Sequence, residues 1–199
     1  MAATELGAWE PLPLAAAVEL FRDAPLRWWI SGGLALELHV GRSWRGHGDT
    51  DIGVVRSEAA RLRDVLDGWD LHLASGGELT AWDGHPLRAE DAENNVWCRR
   101  DTRSPWTLDV TIGDGDRDDW IFRRDPSITL PWADAVLHTD DGAPYVAPEI
   151  MLLFKCREPR RAKDDLDAVT VIPMLDADRR ARLAGWLPAD HPWLPLTEV

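Results

Sequence analysis

The stretch WWISGGLALELHVGRSWRGHGDTDIGV, residues 28–54, decides how this chain is read. It runs from a short apolar segment through Ser31-Gly32-Gly33 into an apolar run with helical spacing. A basic loop carrying Arg42, Arg45 and His47 follows, and Asp49-Thr50-Asp51 then leads into a β-branched run. Residues 26–30 and 50–55 read as strands. Residues 34–41 read as a helix stopped by Gly41. Residues two apart on a strand share a face, so Asp49, Asp51 and Gly53 point one way and Thr50, Ile52 and Val54 the other. Two parallel carboxylates with a glycine beside them suit a divalent cation, since Mg²⁺ is held by one or two carboxylates plus substrate phosphates.

Asp-x-Asp alone carries little weight in so acidic a chain, for it recurs at 114/116, 116/118, 165/167 and 176/178. Those copies fall in a Gly/Asp turn, on a helix where i and i+2 do not share a face, and at a helix start. The pair at 49/51 borders a strand. A third carboxylate stands in WTLDVTI, residues 106–112, where Trp106, Leu108, Val110 and Ile112 form an apolar face and Thr107, Asp109 and Thr111 the opposite one. An aspartate in mid-strand is disfavoured by propensity and costs stability unless a site uses it. Neighbouring strands would gather Asp49, Asp51 and Asp109 into a cluster whose mutual repulsion calls for bound metal. The Gly-Gly step is either a tight turn or a close approach to a ligand, with helix N–H groups aimed at phosphate.

Around this stretch the pattern is that of an α+β (α/β) domain. Residues 12–22 have helical spacing, and 57–68 read as an amphipathic helix with Ser57 as N-cap and Gly68 as stop. From 69 to about 132 short strands alternate with Gly, Pro and Asp turns. From Pro148 the helical period returns in three segments, the last with Asp176 as N-cap. The expected organisation is a core over 1–144 and a C-terminal helical segment, 145–199, packed on it.

The composition narrows the functional classes. A chain of 199 residues with 45% hydrophobic residues buries a real core. Twelve Trp stand against one Tyr, a ratio that sequence alone does not explain. No apolar run reaches the ~18 residues that span a bilayer. The N-terminal stretch has no basic region before its apolar part, unlike a signal peptide. Cys98 and Cys156 lack metal spacing and read as reduced thiols of a cytoplasmic protein. With 22 basic against 35 acidic residues and a net charge of −13, a broad nucleic-acid surface is disfavoured, because such binding runs on Lys and Arg. Acidic residues at 83–93 and 114–119, interleaved with Trp82, Trp97 and Trp120, suit a cationic, sugar-like ligand and equally suit solvated loops.

The run Gly32-Gly33, Gly41-Arg42, Arg45, His47-Gly48-Asp49-Thr50-Asp51 resembles the signature of the DNA polymerase β-type nucleotidyltransferase superfamily. More narrowly, it resembles the small bacterial antibiotic nucleotidyltransferases of the aminoglycoside 2″-adenylyltransferase and lincosamide kind. The resemblance is dense over 28–54, thinner at Asp109, and returns in the Pro-Glu, Lys and Lys-Asp-x-x-Asp pattern of 148–175. It implies a polymerase β-like fold with a mixed sheet plus C-terminal helices. It also implies transfer of a nucleoside monophosphate, AMP from ATP foremost, from a Mg²⁺-bound NTP to a hydroxyl of a small molecule, cationic in the aminoglycoside case.

By the same resemblance, Asp49, Asp51 and Asp109 hold two Mg²⁺ ions, with Asp109 also the general base. Ser31, Gly32 and Gly33 cradle the triphosphate. Lys155 is read as a phosphate contact, against a plain solvated helix lysine. Arg45 and His47 either touch phosphate or brace the Asp loop, and Arg42 fixes a turn. Lys163, Asp164 and Asp167 read as a solvated or packing face. Competing readings are a toxin-type nucleotidyltransferase acting on tRNA or protein, and a non-catalytic nucleotide-binding module. A metal-dependent glycosyltransferase is disfavoured, because its aspartate pair follows a different unit. Monomer and homodimer are both open.

Overall fold

A computed structural model describes residues 6–90 and 93–198. In chain order the elements are α1 (Leu14–Phe21), β1 (Trp28–Ile30), α2 (Gly32–Val40), β2 (Asp51–Val55), a 3₁₀ segment (Arg56–Arg61) and α3 (Leu62–Val65). Then come β3 (Asp70–Ser75), β4 (Glu78–Ala81), β5 (Asn95–Arg99), β6 (Leu108–Gly115), β7 (Asp119–Ile121), β8 (Thr129–Pro131), α4 (Trp132–Ala135), β9 (Val136–His138) and β10 (Pro144–Val146). The chain closes with α5 (Pro148–Lys155), α6 (Ala162–Val171), α7 (Ala177–Trp186) and α8 (Leu194–Thr197).

The strands form one mixed sheet in the order β4-β3-β5-β6-β2-β1-β10-β9, with β7 and β8 branching from β6. β2 runs parallel to β6 and β1 parallel to β10, while the other pairs are antiparallel. The α+β reading with a mixed sheet therefore holds. Burial alternates as the period of two demands. Val96, Cys98, Leu108, Val110, Ile112, Ile52 and Val54 are buried on one face, where the 3₁₀ segment packs on β2 and β6. Each large apolar side chain so buried contributes roughly 1.5–3 kcal/mol. That one-sided burial fixes the register, since a slip of one residue would turn Asp51 and Asp109 into this core.

The other face, toward α2 and α5, carries the polar residues of the same strands. Trp29 covers it in part. A Cβ at Gly53 would lie 2.0 Å from the Trp29 indole nitrogen, and one at Gly113 would lie 2.9 Å from the same ring. The two glycines thus form the trough in which the indole lies. Many of the tryptophans are core rather than surface: Trp28, Trp69, Trp82, Trp106, Trp120, Trp132 and Trp193 are also buried.

The helices depart from the sequence reading at 57–68 and in the added single turns α4 and α8. Residues 57–68 form a 3₁₀ segment followed by a single turn, α3, and Ser57 caps nothing: the chain passes directly from β2 through Val55 into the 3₁₀ turn. At the far end, Asp176 accepts a hydrogen bond from the Arg179 amide and caps α7. α5 is fastened to α7 by Glu149, fully buried, which accepts from Arg179 Nη1 at 2.7 Å and Arg182 Nη2 at 3.0 Å. α5 also packs on α2 and α6, so the C-terminal helices stand over the polar face of the sheet.

Candidate active site

The site begins where β1 becomes α2. Ser31 is extended and donates its amide to the Asp51 carbonyl at 2.9 Å, which ties the end of β1 to the start of β2. Gly32 then takes φ +64°, the left-handed region that glycine enters without steric cost. A Cβ there would stand 1.8 Å from Asp51 Oδ2. At Gly33 a Cβ would stand 2.2 Å from an Arg45 guanidinium nitrogen and 2.5 Å from the His47 ring. Both glycines are therefore required by close approach: one makes room for the carboxylate of β2, the other for the basic loop. α2 ends in a left-handed Gly41 (φ +77°), whose amide returns to Glu37 at 2.9 Å, and this aims residues 42–50 back across the helix start.

Asp51 and Asp109 are paired in register on β2 and β6. Asp49 lies in the loop two residues before Asp51, and its charge acts on both. Burial, then the charges of Asp49 and Asp109, push the Asp51 carboxyl up to about 8, against relief from Lys155 and Lys163. Asp109 is pushed up to about 6 by burial, offset in part by hydrogen bonds from Asn95 and Trp97. The Asn95 amide donates to Asp109 Oδ1 at 2.8 Å. Without a cation, this corner is short of positive charge.

Among the described residues, no three His, Cys, Asp or Glu side chains converge as a ready-made metal cage. A site finished by substrate oxygens needs no such cage, because Mg²⁺ keeps one or two carboxylates and takes its other ligands from phosphate and water. The raised carboxyls of Asp51 and Asp109 and the close approach of Gly32 to Asp51 are features that such an ion would suit.

A cavity of about 260 Å³ joins these groups. Ser31, Gly32, Gly33, Arg45, His47, Asp49, Asp51 and Lys155 all line it, together with Asn95, Thr111 and Trp120. Asp109 is not among the lining residues and meets the cavity through Asn95, which donates to it. Ser31 does not cap α2 with its side chain; its hydroxyl points to the Met151 sulfur at 3.5 Å.

The basic side chains are held by an acidic pair on α6. Asp167 accepts from Arg45 Nε at 2.7 Å and Nη2 at 2.9 Å, and from the Trp44 indole at 3.1 Å. Lys155 Nζ lies 3.0 Å from Asp167 and 3.2 Å from Asp164, which also takes a fork from Arg161. Asp164 and Asp167 are buried, at 3% and 0% exposure, so of the solvated or packing face expected for them it is the packing one that holds; Lys163 alone of that trio lines the cavity. Their charges offset Lys155 and Arg45, which would otherwise be costly to bury. His47 bridges Arg45 and Glu37: its Nδ1 is 3.2 Å from Arg45 Nη1 and its Nε2 3.0 Å from Glu37.

The acidic, tryptophan-rich segments do not make one ligand face. Trp82 and Trp120 are buried, Asp114 is paired with Arg56, and Asp116 accepts from the amides of its own turn. Asp91 lies outside the described residues. The sequence reading passed over Asn95 and Trp29, and named Trp97 only among the aromatic residues of an acidic segment. The placement of Asn95 and Trp97 was within its reach, since Asn95, Trp97 and Arg99 alternate with buried Val96 and Cys98 and so share the face of Asp109.

Comparison with known proteins bears on the fold and on residues 13–95. Residues 13–95 match the model of the aminoglycoside-2″-adenylyltransferase family. No curated protein sequence matches the chain. Among solved structures, the lincomycin-bound lincosamide antibiotic adenylyltransferase LnuA superposes with a TM-score of 0.55 at 17% identity, covering 81% of this chain and 96% of LnuA. ANT(2″)-Ia in complex with adenylyl-2″-tobramycin superposes with a TM-score of 0.55 at 12% identity, covering 85% and 91%. The solution structure of ANT(2″)-Ia gives 0.53 at 14% identity, covering 85% and 86%. At these identities the structural likeness speaks to the fold. Over residues 13–95 the chain resembles the aminoglycoside-2″-adenylyltransferases, and its fold is the mixed-sheet fold of the polymerase β-like nucleotidyltransferases.

Proposed function

We propose that this chain is a Mg²⁺-dependent nucleotidyltransferase that moves AMP from ATP to a hydroxyl of a small molecule of the aminoglycoside or lincosamide kind. The observation that carries the reading is the in-register pair Asp51 and Asp109, with Asp51 against Gly32 at a helix start and Asp49 and Lys155 lining the same cavity as Asp51. The family match over 13–95 and the adenylyltransferase fold support it. Cys98 and Cys156, both free thiols, are compatible with a reducing cytoplasm.

Each residue has a task in that reaction. Asp49, Asp51 and Asp109 would hold Mg²⁺, which when bound neutralises phosphate charge and favours ionisation of the acceptor hydroxyl. The backbone at Gly32 and Gly33 meets the triphosphate at the start of α2. Lys155 supplies positive charge to it from α5, steadied by Asp164 and Asp167. Asp109 accepts the proton of the acceptor hydroxyl, whose oxygen bonds to the α-phosphorus as the bond from that phosphorus to the bridging oxygen breaks and pyrophosphate leaves. The carboxylates come from the 1–144 core and the lysine from the 145–199 helices, so both parts are needed.

The test is transfer of label from α-³²P-ATP with Mg²⁺ to aminoglycosides, lincosamides and bulk tRNA in turn, beside an Asp49→Ala/Asp51→Ala control. Label on an antibiotic, lost in the control, supports the reading. Label on tRNA alone would replace it with the toxin-type activity. ATP binding with no transfer to any acceptor would favour a nucleotide-binding module.

A further inference from the structure

Past the carboxylates the cavity reaches β7, and a second cavity of about 800 Å³ opens beyond it. The two share Arg123 and Arg124 as a common wall, and Arg157 and Arg56 line the second. These four arginines are not equivalent. Arg56 is fully engaged: it is paired with Asp114, and its Nη atoms donate to Asn94 Oδ1 at 2.8 Å and to the Glu93 carbonyl at 3.1 Å. Arg123, Arg124 and Arg157 have no carboxylate partner among the described residues.

The contacts that Arg123 and Arg124 do make orient them without neutralising them. Arg123 Nη1 donates to the Ile112 carbonyl at 3.3 Å, and its guanidinium lies 5.2 Å from the Phe154 ring centre. Arg124 Nη1 donates to the Phe154 carbonyl at 2.9 Å, over the same ring at 5.3 Å. Burial pulls both guanidinium pKa values down, and the charge of Arg157 acts on both in the same direction; Asp114 opposes this at Arg123 alone. Acidic residues outnumber basic ones 35 to 22 in this chain. Arg123 is half-buried and Arg124 and Arg157 are exposed; three like charges at one wall with no counter-charge repel one another, and an anion would remove that repulsion. Guanidinium forks held against an aromatic ring are the side chains best suited to phosphate oxygens.

We propose that Arg123, Arg124 and Arg157 form an anion subsite beside the carboxylate site, and that it takes a phosphate group of a substrate. The proposal rests on the nucleotidyltransferase reading of that site for the word substrate. The phosphate belongs either to the polyphosphate of the nucleotide or to a phosphorylated acceptor.

The experiment is equilibrium binding of inorganic pyrophosphate, ATP and AMP to the full chain in EDTA. Wild type is compared with Arg123→Gln/Arg157→Gln and with Arg157→Gln alone, whose exposed side chain can be changed without unfolding the chain. Wild type is expected to bind pyrophosphate, with the double variant weaker by about tenfold or more and the single variant in between. ATP weakening in step, with AMP unchanged, assigns the subsite to the nucleotide. Unchanged ATP affinity, with pyrophosphate still binding to ATP-loaded wild type and not to the ATP-loaded double variant, assigns it to the acceptor. Equal pyrophosphate affinity in all three proteins, or no pyrophosphate binding by wild type, overturns the proposal. The readout needs no turnover, so a failed transfer assay would strike the nucleotidyltransferase reading and leave this result standing.

Discussion

Asp51 and Asp109 stand directly opposite each other on the adjacent parallel strands β2 and β6, and the Asn95 amide holds Asp109 from the next strand over. Two half-buried carboxylates in one register position are an electrostatic load. The chain relieves it only in part, with Lys155 and Lys163.

That load makes Asp51→Asn a variant that loses activity and gains stability. Burial and the neighbouring carboxylates raise the Asp51 pKa from 3.8 to about 8. In the metal-free protein its contribution to stability therefore falls as pH rises from the unfolded value toward the folded one. The neutral amide escapes this penalty. The melting temperature in EDTA at pH 8 is expected to rise in the variant, while transfer activity falls by at least ~10²-fold. A lower melting temperature would mean that the carboxylate is satisfied within the protein.

Asn95→Ala tests the support of Asp109. The amide hydrogen bond favours the ionised carboxylate, so its loss raises the Asp109 pKa above about 6. At neutral pH a larger share of the base is then protonated. The acid limb of the kcat/KM profile should move to higher pH, with activity lost near pH 7 and recovered toward pH 9. A profile that drops uniformly without moving would assign Asn95 a purely structural role.

Gly32 and Gly142 share a left-handed backbone, φ +64° and φ +86°, but only Gly32 faces an obstacle. Replacing either with alanine strains the backbone by roughly 1–2 kcal/mol. At Gly32 the new Cβ also meets Asp51 Oδ2 at 1.8 Å, whereas at Gly142 nothing lies within 4 Å. Gly142→Ala should cost only the backbone strain in urea unfolding and keep full activity. Gly32→Ala should cost more and abolish transfer, since Asp51 must move.

Asp164 gives the fold an acid-sensitive joint. Hydrogen bonds from Arg161 and the charge of Lys155 outweigh burial and hold its carboxyl at about 2, against 3.8 unfolded. Because the folded value is depressed, the stabilisation is complete above pH 3.8 and disappears as pH falls toward 2. It amounts to about 2 kcal/mol. Asp164→Asn should lower the unfolding free energy by about that much at pH 7, and the gap between variant and wild type should narrow steadily between pH 4 and pH 2.5.

Much of the fold is legible in local pattern. The alternation of Leu108, Val110 and Ile112 with Thr107, Asp109 and Thr111 is a strand on its face, and Gly41 closes α2 because the left-handed cap favours glycine there. What escapes is what is too short to show a period. β8, β9 and β10 have three residues each, less than two full alternations, and α4 is a single turn. Ser57 misleads for another reason: capping residues are common at helix starts, but the chain here turns straight from β2 into a 3₁₀ segment.

By itself, the sequence determined that Asp51 heads a strand and that Asp109 stands on the polar face of another; Asp49, expected on the same strand face as Asp51, lies in the loop before it. Period-two geometry is local and needs no partner. Only the tertiary structure decided that β2 and β6 are neighbours, although β3, β4 and β5 lie between them in the chain. It alone sank Asp164 and Asp167, because Lys155 and Arg45 reach them from α5 and from the loop after α2. A charged side chain reads as exposed until its counter-charge is found, and the counter-charge is set by packing, not by sequence spacing.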